Sequence, residues 1–323
     1  MYAYQPDMES PRFTVPRDVK AELLMIGSRS STYRLGQVVV KVPRIDTEAE
    51  ITQGNAKATA IEANVYKILG THDRIANCLY ISPTKDMIML DFYQYGNLKD
   101  YVAYHGPTQL RKWAKQMIEA VQLVHSKGVR HSDIRLDQWL LDSEMNARLS
   151  DFNASGYDEC PAFGLHGEKA IGDEAPSHFM PRNSSGDNSI RSDLLALGSA
   201  LYEIEQGSSP FAGADDETIT RRFALREFPS VSKLTLGCII LGAWEVLYPG
   251  TAVVALRMWN VRTVTESDGI ELDGRPSSVT FSQDGKSLAI GFEEGRAELW
   301  DAIGRPTDNA ALYTDLRSMY RRT

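Results

Sequence analysis

The chain has 323 residues, 42% of them hydrophobic and 24% charged, with a formal net charge of −8. That is apolar content for one large core or two ordinary domains, and the acidic balance argues against broad, sequence-independent binding to nucleic acid or anionic membrane. The longest apolar stretch, 234–244, is broken by Gly237 and Gly242 and falls short of the roughly 20 residues a membrane helix needs, so it predicts a buried helix instead.

Residues 1–20 are polar and interrupted by Pro6, Pro11 and Pro16, which predicts a flexible leader. The leader has no apolar core and is not an arginine-rich transit segment, so a cytoplasmic or nuclear location is expected. Cys78, Cys160 and Cys238 are too scattered for a disulfide framework or a zinc site, and reduced thiols fit that compartment.

Strands are predicted over 22–26, 31–35 and 37–42, separated by Gly27 and Gly36 as an antiparallel meander. Ile61, Val65, Ile68 and Leu69 repeat at helical spacing and Gly70 supplies a stop, so a helix is expected over 55–70. Two further strands follow at 77–82 and 86–92. Beyond them, Leu110, Trp113, Met117, Val121 and Val124 line one helix face, and Ile190, Leu194, Leu197, Leu201 and Ile204 line another. The fold class is therefore α+β, with a small β-rich lobe over 21–92 and a helical lobe over 93–250. From Val279 onward apolar residues alternate between turn signals at Asp284-Gly285 and Glu294-Gly295, which predicts β-hairpins within 251–305 and a short tail over 306–323.

Four residues carry the chemistry. Lys41 ends the apolar run VVVKV, where its stem can carry an ammonium off the sheet onto phosphate oxygens, and Glu62 on the first helix is its expected partner. Asp133 lies in RHSDIRLDQWLL and Asp151 in ARLSDFNASG, 18 residues later. Taken singly, each has a bland reading: a surface lysine, an exposed helix charge, an Asp/Asn turn. Together and in this order they resemble the protein kinases over about 230 residues.

The resemblance implies a two-lobed fold, ATP and Mg²⁺ as cofactors, and a protein substrate phosphorylated on a hydroxyl, most readily Ser or Thr. Asp133 in His131-Ser132-Asp133 then takes the base position and Arg135 lies near the transferred group. Asp151 in Asp151-Phe152-Asn153 holds the metal, and Lys41 with Glu62 serves the phosphates. Gly27 and Ser28 belong to the phosphate-covering loop, Val39 to the cofactor-binding residues, Leu90 to the gatekeeper position, and Asp91 and Tyr93 to the hinge. Gln138 occupies the place of the second metal ligand. Ser192-Asp193 and Leu197-Gly198 resemble the start of a central helix of the second lobe. A weaker likeness, in HSDIRLDQWLLD, DFNASG and SHFMPR, is to a fungal group of kinase-like proteins.

Several positions depart from the pattern. Only Gly27 of three loop glycines is present, leaving Arg29, Ser31 or Thr32 to contact phosphate through side chains. Gln138 is one methylene longer than asparagine, so it serves the metal through water or not at all. Ser132 removes the cation that would pair with a phosphorylated activation loop, so switching in that form is not expected. Met180-Pro181-Arg182 lacks the glutamate that anchors the end of the activation segment, which implies a looser or different brace. Asn153 in place of glycine fits if that residue is left-handed.

The stretch 277–301 resembles one WD repeat, and Trp259-Asn260, 41 residues before Trp300-Asp301, stands where a preceding repeat would end. The rival reading puts 250–259 in the last kinase helix. One blade cannot close a propeller, so the tail either docks on the helical lobe or a protein partner, or is a remnant. Two functions from different classes stand at this stage, an active kinase and a pseudokinase scaffold; the acceptor, protein or small molecule, is not fixed by the core.

Overall fold

The computed structural model describes residues 21–182 and 186–245, and the backbone of three strands within 276–301. The leader, Trp259-Asn260 and the 306–323 tail lie outside the described residues. Contacts divide the chain into two compact units, the first comprising residues up to 104, 116–133 and 137–173, the second 105–115, 134–136 and those from 174 onward.

The first unit is built on a five-stranded antiparallel sheet of β1 (Glu22–Ile26), β2 (Ser30–Leu35), β3 (Val38–Pro43), β4 (Cys78–Ile81) and β5 (Ile88–Asp91), in the order β1-β2-β3-β5-β4. Gly36, at φ +63°, turns β2 into β3 in two residues, a conformation that costs glycine nothing. Strand parity then sorts the side chains. Val38 and Val40 are buried with Met89 in a core completed by Leu35, Val42, Tyr80 and Met87, while Val39 and Lys41 face the other way. On that opposite face the register sets Val39 against Leu90 and Lys41 against Ile88.

Helix α1 (Ala49–Leu69) enters between β3 and β4. It begins six residues before the expected start, because those residues carry a single large apolar side chain, the exposed Ile51, and give no periodic signal. Its end is as expected: Gly70 has φ +66° and its N–H bonds Tyr66 O at 3.0 Å. The short helix α2 (Leu98–His105), which buries only Leu98 and Val102, has too little pattern to be legible in the sequence. Helix α3 (Leu110–Ser126) follows, then four short strands: β6 (Val129–Arg130) pairs with β9 (Gly156–Tyr157), and β7 (Trp139–Leu141) with β8 (Ala147–Leu149). These two ribbons, with a 3₁₀ turn at Leu136–Gln138, hold the loops that carry Asp133 and Asp151. Among the described residues Cys78 and Cys160 are free, and burial with the nearby Glu62 charge pushes the Cys78 thiol up to about 12, which keeps it inert.

In the second unit, α4 (Ile190–Gln206) starts with a reciprocal cap between Ser189 and Ser192 and stops at Gly207. It packs on α6 (Gly237–Glu245), with α5 (Asp216–Ala224) preceding. Trp244, fully buried, donates its Nε1–H to Ser199 Oγ at 3.0 Å and stacks on Phe228. Gly198 permits this approach, since a Cβ there would lie 2.9 Å from Ala243 Cβ and 3.1 Å from Trp244 Cδ1. Gly198→Ala is therefore expected to cost about 1–3 kcal/mol in chemical denaturation. An unchanged midpoint would contradict this packing. The C-terminal strands β10 (Pro276–Phe281), β11 (Ser287–Phe292) and β12 (Ala297–Asp301) form a three-stranded antiparallel sheet in sequence order.

Candidate active site

Lys41 is the centre of the site. β3 delivers it to the face opposite the Val38/Val40 core, where its Nζ lies 2.8 Å from Glu62 Oε2 and 2.5 Å from Asp151 Oδ1. Lys41 and Glu62 are almost wholly buried, whereas Asp151 keeps part of its carboxylate open. Burial alone pulls the Lys41 ammonium down, but the Asp151 and Glu62 carboxylates together outweigh it and hold the pKa above the ordinary lysine range. Glu62 goes the other way: burial raises its carboxyl, Asp151 adds to this, and Lys41 opposes it only in part. Lys41 thus joins two carboxylates, one buried and one partly open, a cluster of shifted ionisable groups of the kind found at functional sites.

Asp151 takes φ +62° and Ser132 φ +66°. These are the left-handed residues of the two loops, and Asn153 is not among them, contrary to the expectation from the sequence. The twist falls on Asp151 itself, aiming its carboxylate at Lys41, while Phe152 turns inward. Phe152 is fully buried, with its ring edge-on to Tyr66 of α1 at 5.3 Å and 5.0 Å from the His131 ring. α1, the Asp133 loop and the Asp151 loop are thereby joined through one aromatic column.

Asp133 is buried and its position is set from two sides. Its N–H donates to His131 Nδ1 at 3.3 Å, and Gln138 Nε2 donates to its Oδ2 at 2.8 Å. A carboxylate only accepts, so the NH₂ end of the Gln138 amide must face it. The Gln138 backbone is itself fixed, since its main-chain carbonyl accepts from both the N–H and the Oγ of Ser150, at 2.9 and 2.8 Å. Ser150 O in turn meets His131 Nε2 at 3.0 Å. The sequence pointed Gln138 at a metal; the structure places its amide on Asp133. Arg135 is half-buried in the 134–136 segment of the second unit.

The hinge side chains turn away from the Lys41 face. Tyr93 OH accepts from Asn77 N–H at 2.9 Å and Asp91 Oδ2 from Asn77 Nδ2 at 2.8 Å. Leu90 is buried opposite Val39, and the Arg34 guanidinium stacks 3.7 Å over the Phe92 ring. Asp91, Phe92 and Tyr93 also line a polar recess of about 790 Å³ with Asp73, Asp142 and Arg148; none of Lys41, Glu62, Asp133 or Asp151 borders it.

The loop after β1 is a tight turn in which Gly27 N–H bonds Ser30 O at 2.8 Å. Arg29 and Ser28 reach the 172–173 segment, Arg29 Nη2 to Gly172 O and Ser28 Oγ to Asp173 Oδ2, each at 3.5 Å. The brace at the end of the activation segment is also present in altered form. Arg182 makes two bonds to Glu174, at 2.9 and 3.1 Å, and Asn188 adds a third at 2.6 Å. Burial raises the Glu174 carboxyl, against which Arg182 acts. The anchor is rebuilt with the cation downstream and the carboxylate upstream, a pairing the sequence reading did not find because Glu174 belongs to no motif.

The protein kinase domain family matches residues 30–239, which hold Lys41, Glu62, Asp133, Gln138 and Asp151 in the order described. The chain belongs to the protein kinase family. Its kinase domain is similar to CBL-interacting serine/threonine-protein kinase 8 of Arabidopsis thaliana, 32% identical over 161 residues, which are 48% of this chain and 35% of that protein. It is also similar to serine/threonine-protein kinase SIK2 of Gallus gallus, 28% identical over 193 residues, 58% of this chain and 23% of that protein. The matches span about a third or less of the length of these relatives. No helix among the described residues is long and apolar enough to cross a membrane.

Proposed function

We propose that the kinase domain binds Mg²⁺-ATP and transfers the γ-phosphoryl group to a Ser or Thr hydroxyl of a protein substrate. The observation that carries this reading is the Lys41–Glu62–Asp151 triad beside a separately fixed, buried Asp133. The family and the Ser/Thr kinase relatives support it.

The residues fit the cofactors. No cluster of three or more His, Cys, Asp or Glu side chains able to cage a metal occurs among the described residues. That suits Mg²⁺, which is held by one or two carboxylates together with substrate phosphates and water. Asp151 is the residue to hold it, having one oxygen on Lys41 and part of its carboxylate open. The bound ion would neutralise charge on the phosphates. Lys41, oriented by Glu62, is the cation for the phosphate oxygens, and Val39 with Leu90 offers an apolar wall for a base. Asp133, held in place by Gln138, accepts or orients the hydroxyl proton.

Gln138 is then a positioning residue for Asp133. Gln138→Leu is expected to lower kcat about tenfold, the worth of a hydrogen bond to a charged group, without changing the KM for ATP or the Mg²⁺ dependence. A weakened Mg²⁺ dependence would instead make it a metal ligand. The reading as a whole is tested by thermal denaturation with ATP and Mg²⁺: a metal-dependent upward shift, lost in Asp151→Ala, is expected. No shift at millimolar nucleotide would favour a scaffold, a reading motivated by the single loop glycine and the closed Ser28–Arg29 turn. The three-stranded meander supports reading 277–301 as a WD-like blade.

A further inference from the structure

Between Asp151 and Arg182 the hydroxyl-bearing residues are Ser155, Tyr157 and Ser177. All three are buried and bonded: Ser155 Oγ donates to His131 O at 3.0 Å, Tyr157 OH accepts from Asn64 Nδ2 at 2.8 Å, and Ser177 Oγ meets His178 Nδ1 at 3.0 Å. The segment therefore presents no exposed hydroxyl to an activating kinase. It is nevertheless ordered. Tyr157 and Glu168 exchange backbone bonds of 2.9 and 2.8 Å, and Cys160 N–H bonds Leu165 O at 2.8 Å, which closes a β-hairpin over 157–168.

Three side-chain ties hold this hairpin. Glu168 pairs with Lys57 at 3.0 Å, Asp158 pairs with Arg130 at 2.6 Å, and the buried Tyr157 OH meets Asn64. Lys57 and Asn64 lie on α1, the helix that carries Glu62, and Arg130 lies directly before His131. Phosphorylation would order such a segment by placing negative charge against cations. Here two carboxylates already occupy those cations.

We propose that Asp158 and Glu168 act as fixed substitutes for activating phosphate, clamping the 157–168 hairpin to α1 and β6 so that the kinase domain needs no activation-segment phosphorylation. This rests on the kinase reading of the same site. Each ion pair is partly exposed and individually weak, so the buried Asn64–Tyr157 bond is the centre of the clamp and the two carboxylates its flanks.

The test uses the full chain. Phosphatase-treated and untreated protein should turn over at the same rate. Lys57→Glu, which sets like charges face to face, should speed amide hydrogen exchange over 157–168 by roughly 3–10-fold and lower kcat by a similar factor. Lys57→Glu combined with Glu168→Lys should restore both. Tyr157→Phe, which keeps the ring and removes only the hydroxyl, should loosen the hairpin in the same way. A fall in turnover on phosphatase treatment, or exchange that is unchanged in Lys57→Glu and Tyr157→Phe, overturns the clamp. Hydrogen exchange needs no turnover: a hairpin that responds as expected supports the clamp, and no transfer in any protein would then contradict only the kinase reading.

Discussion

Asp133→Asn is expected to lower phosphoryl transfer by about 10²–10⁴-fold while leaving Mg²⁺-ATP binding intact. The side chain is buried, its backbone N–H is committed to His131, and Oδ2 is held by the Gln138 amide, which fixes the carboxylate in place. Asparagine preserves the shape but not the negative charge or the capacity to accept a proton. If its NH₂ replaced Oδ2 it would also meet the Gln138 NH₂ donor to donor. Nucleotide contacts are assigned to Lys41, Asp151 and the hinge, which this change does not touch. The measurement is kcat alongside an independent nucleotide titration. Loss of both together would mean that Asp133 supports the fold of the site rather than the transfer.

Lys41→Met is the second large effect, and it acts on stability as well as on nucleotide binding. Removing the ammonium leaves Glu62 fully buried without its Lys41 partner, and breaking a buried pair from one side costs about 3–5 kcal/mol. Glu62 relieves part of that cost by taking a proton, since burial already raises its carboxyl in the intact protein. A carboxyl whose folded pKa is raised binds its proton more tightly folded than unfolded. Its contribution is therefore present below the unfolded pKa and is lost as pH rises through the folded one. Lys41→Met should accordingly be nearer to wild-type stability at pH 5 than at pH 8, in denaturant titrations at the two values. In the wild-type protein the raised Lys41 pKa leaves its own contribution constant over that range, because it is lost only as pH climbs past the ordinary lysine value. An equal deficit for the variant at both pH values would contradict the assignment of Glu62 as the buried partner.

Much of this site was legible in the sequence because it is written in short runs that depend on local periodicity. The VVVKV alternation puts Lys41 on the face opposite Val38 and Val40, and helical spacing puts Glu62 in α1; the strands of the sheet fell within a residue or two of their expected limits. What was not legible depends on contacts distant in sequence or on backbone conformation. The Asn64–Tyr157 bond spans 93 residues and the Lys57–Glu168 pair 111, so no spacing rule brings them together. Glu174 and Arg182 lie only eight residues apart, yet their pairing was hidden because the familiar anchor has the opposite charge order. The left-handed twist at Asp151 was missed for a different reason. Propensity favours Asn153 for that conformation, whereas the pull of Lys41 on the carboxylate and the burial of Phe152 decide it. Gln138 stands at the position of a shorter asparagine, and the contact of its amide with the Asp133 carboxylate is not legible from that likeness.

The most direct test of the assignment is transfer of labelled γ-phosphoryl from Mg²⁺-ATP to a generic Ser/Thr protein substrate, run in parallel with wild-type protein, Asp133→Asn and Asp151→Ala. Metal-dependent incorporation by wild type that disappears in both variants is expected. Incorporation that persists unchanged in Asp133→Asn, or that is absent from well-folded wild-type protein, would contradict a phosphoryl-transfer site built on these residues.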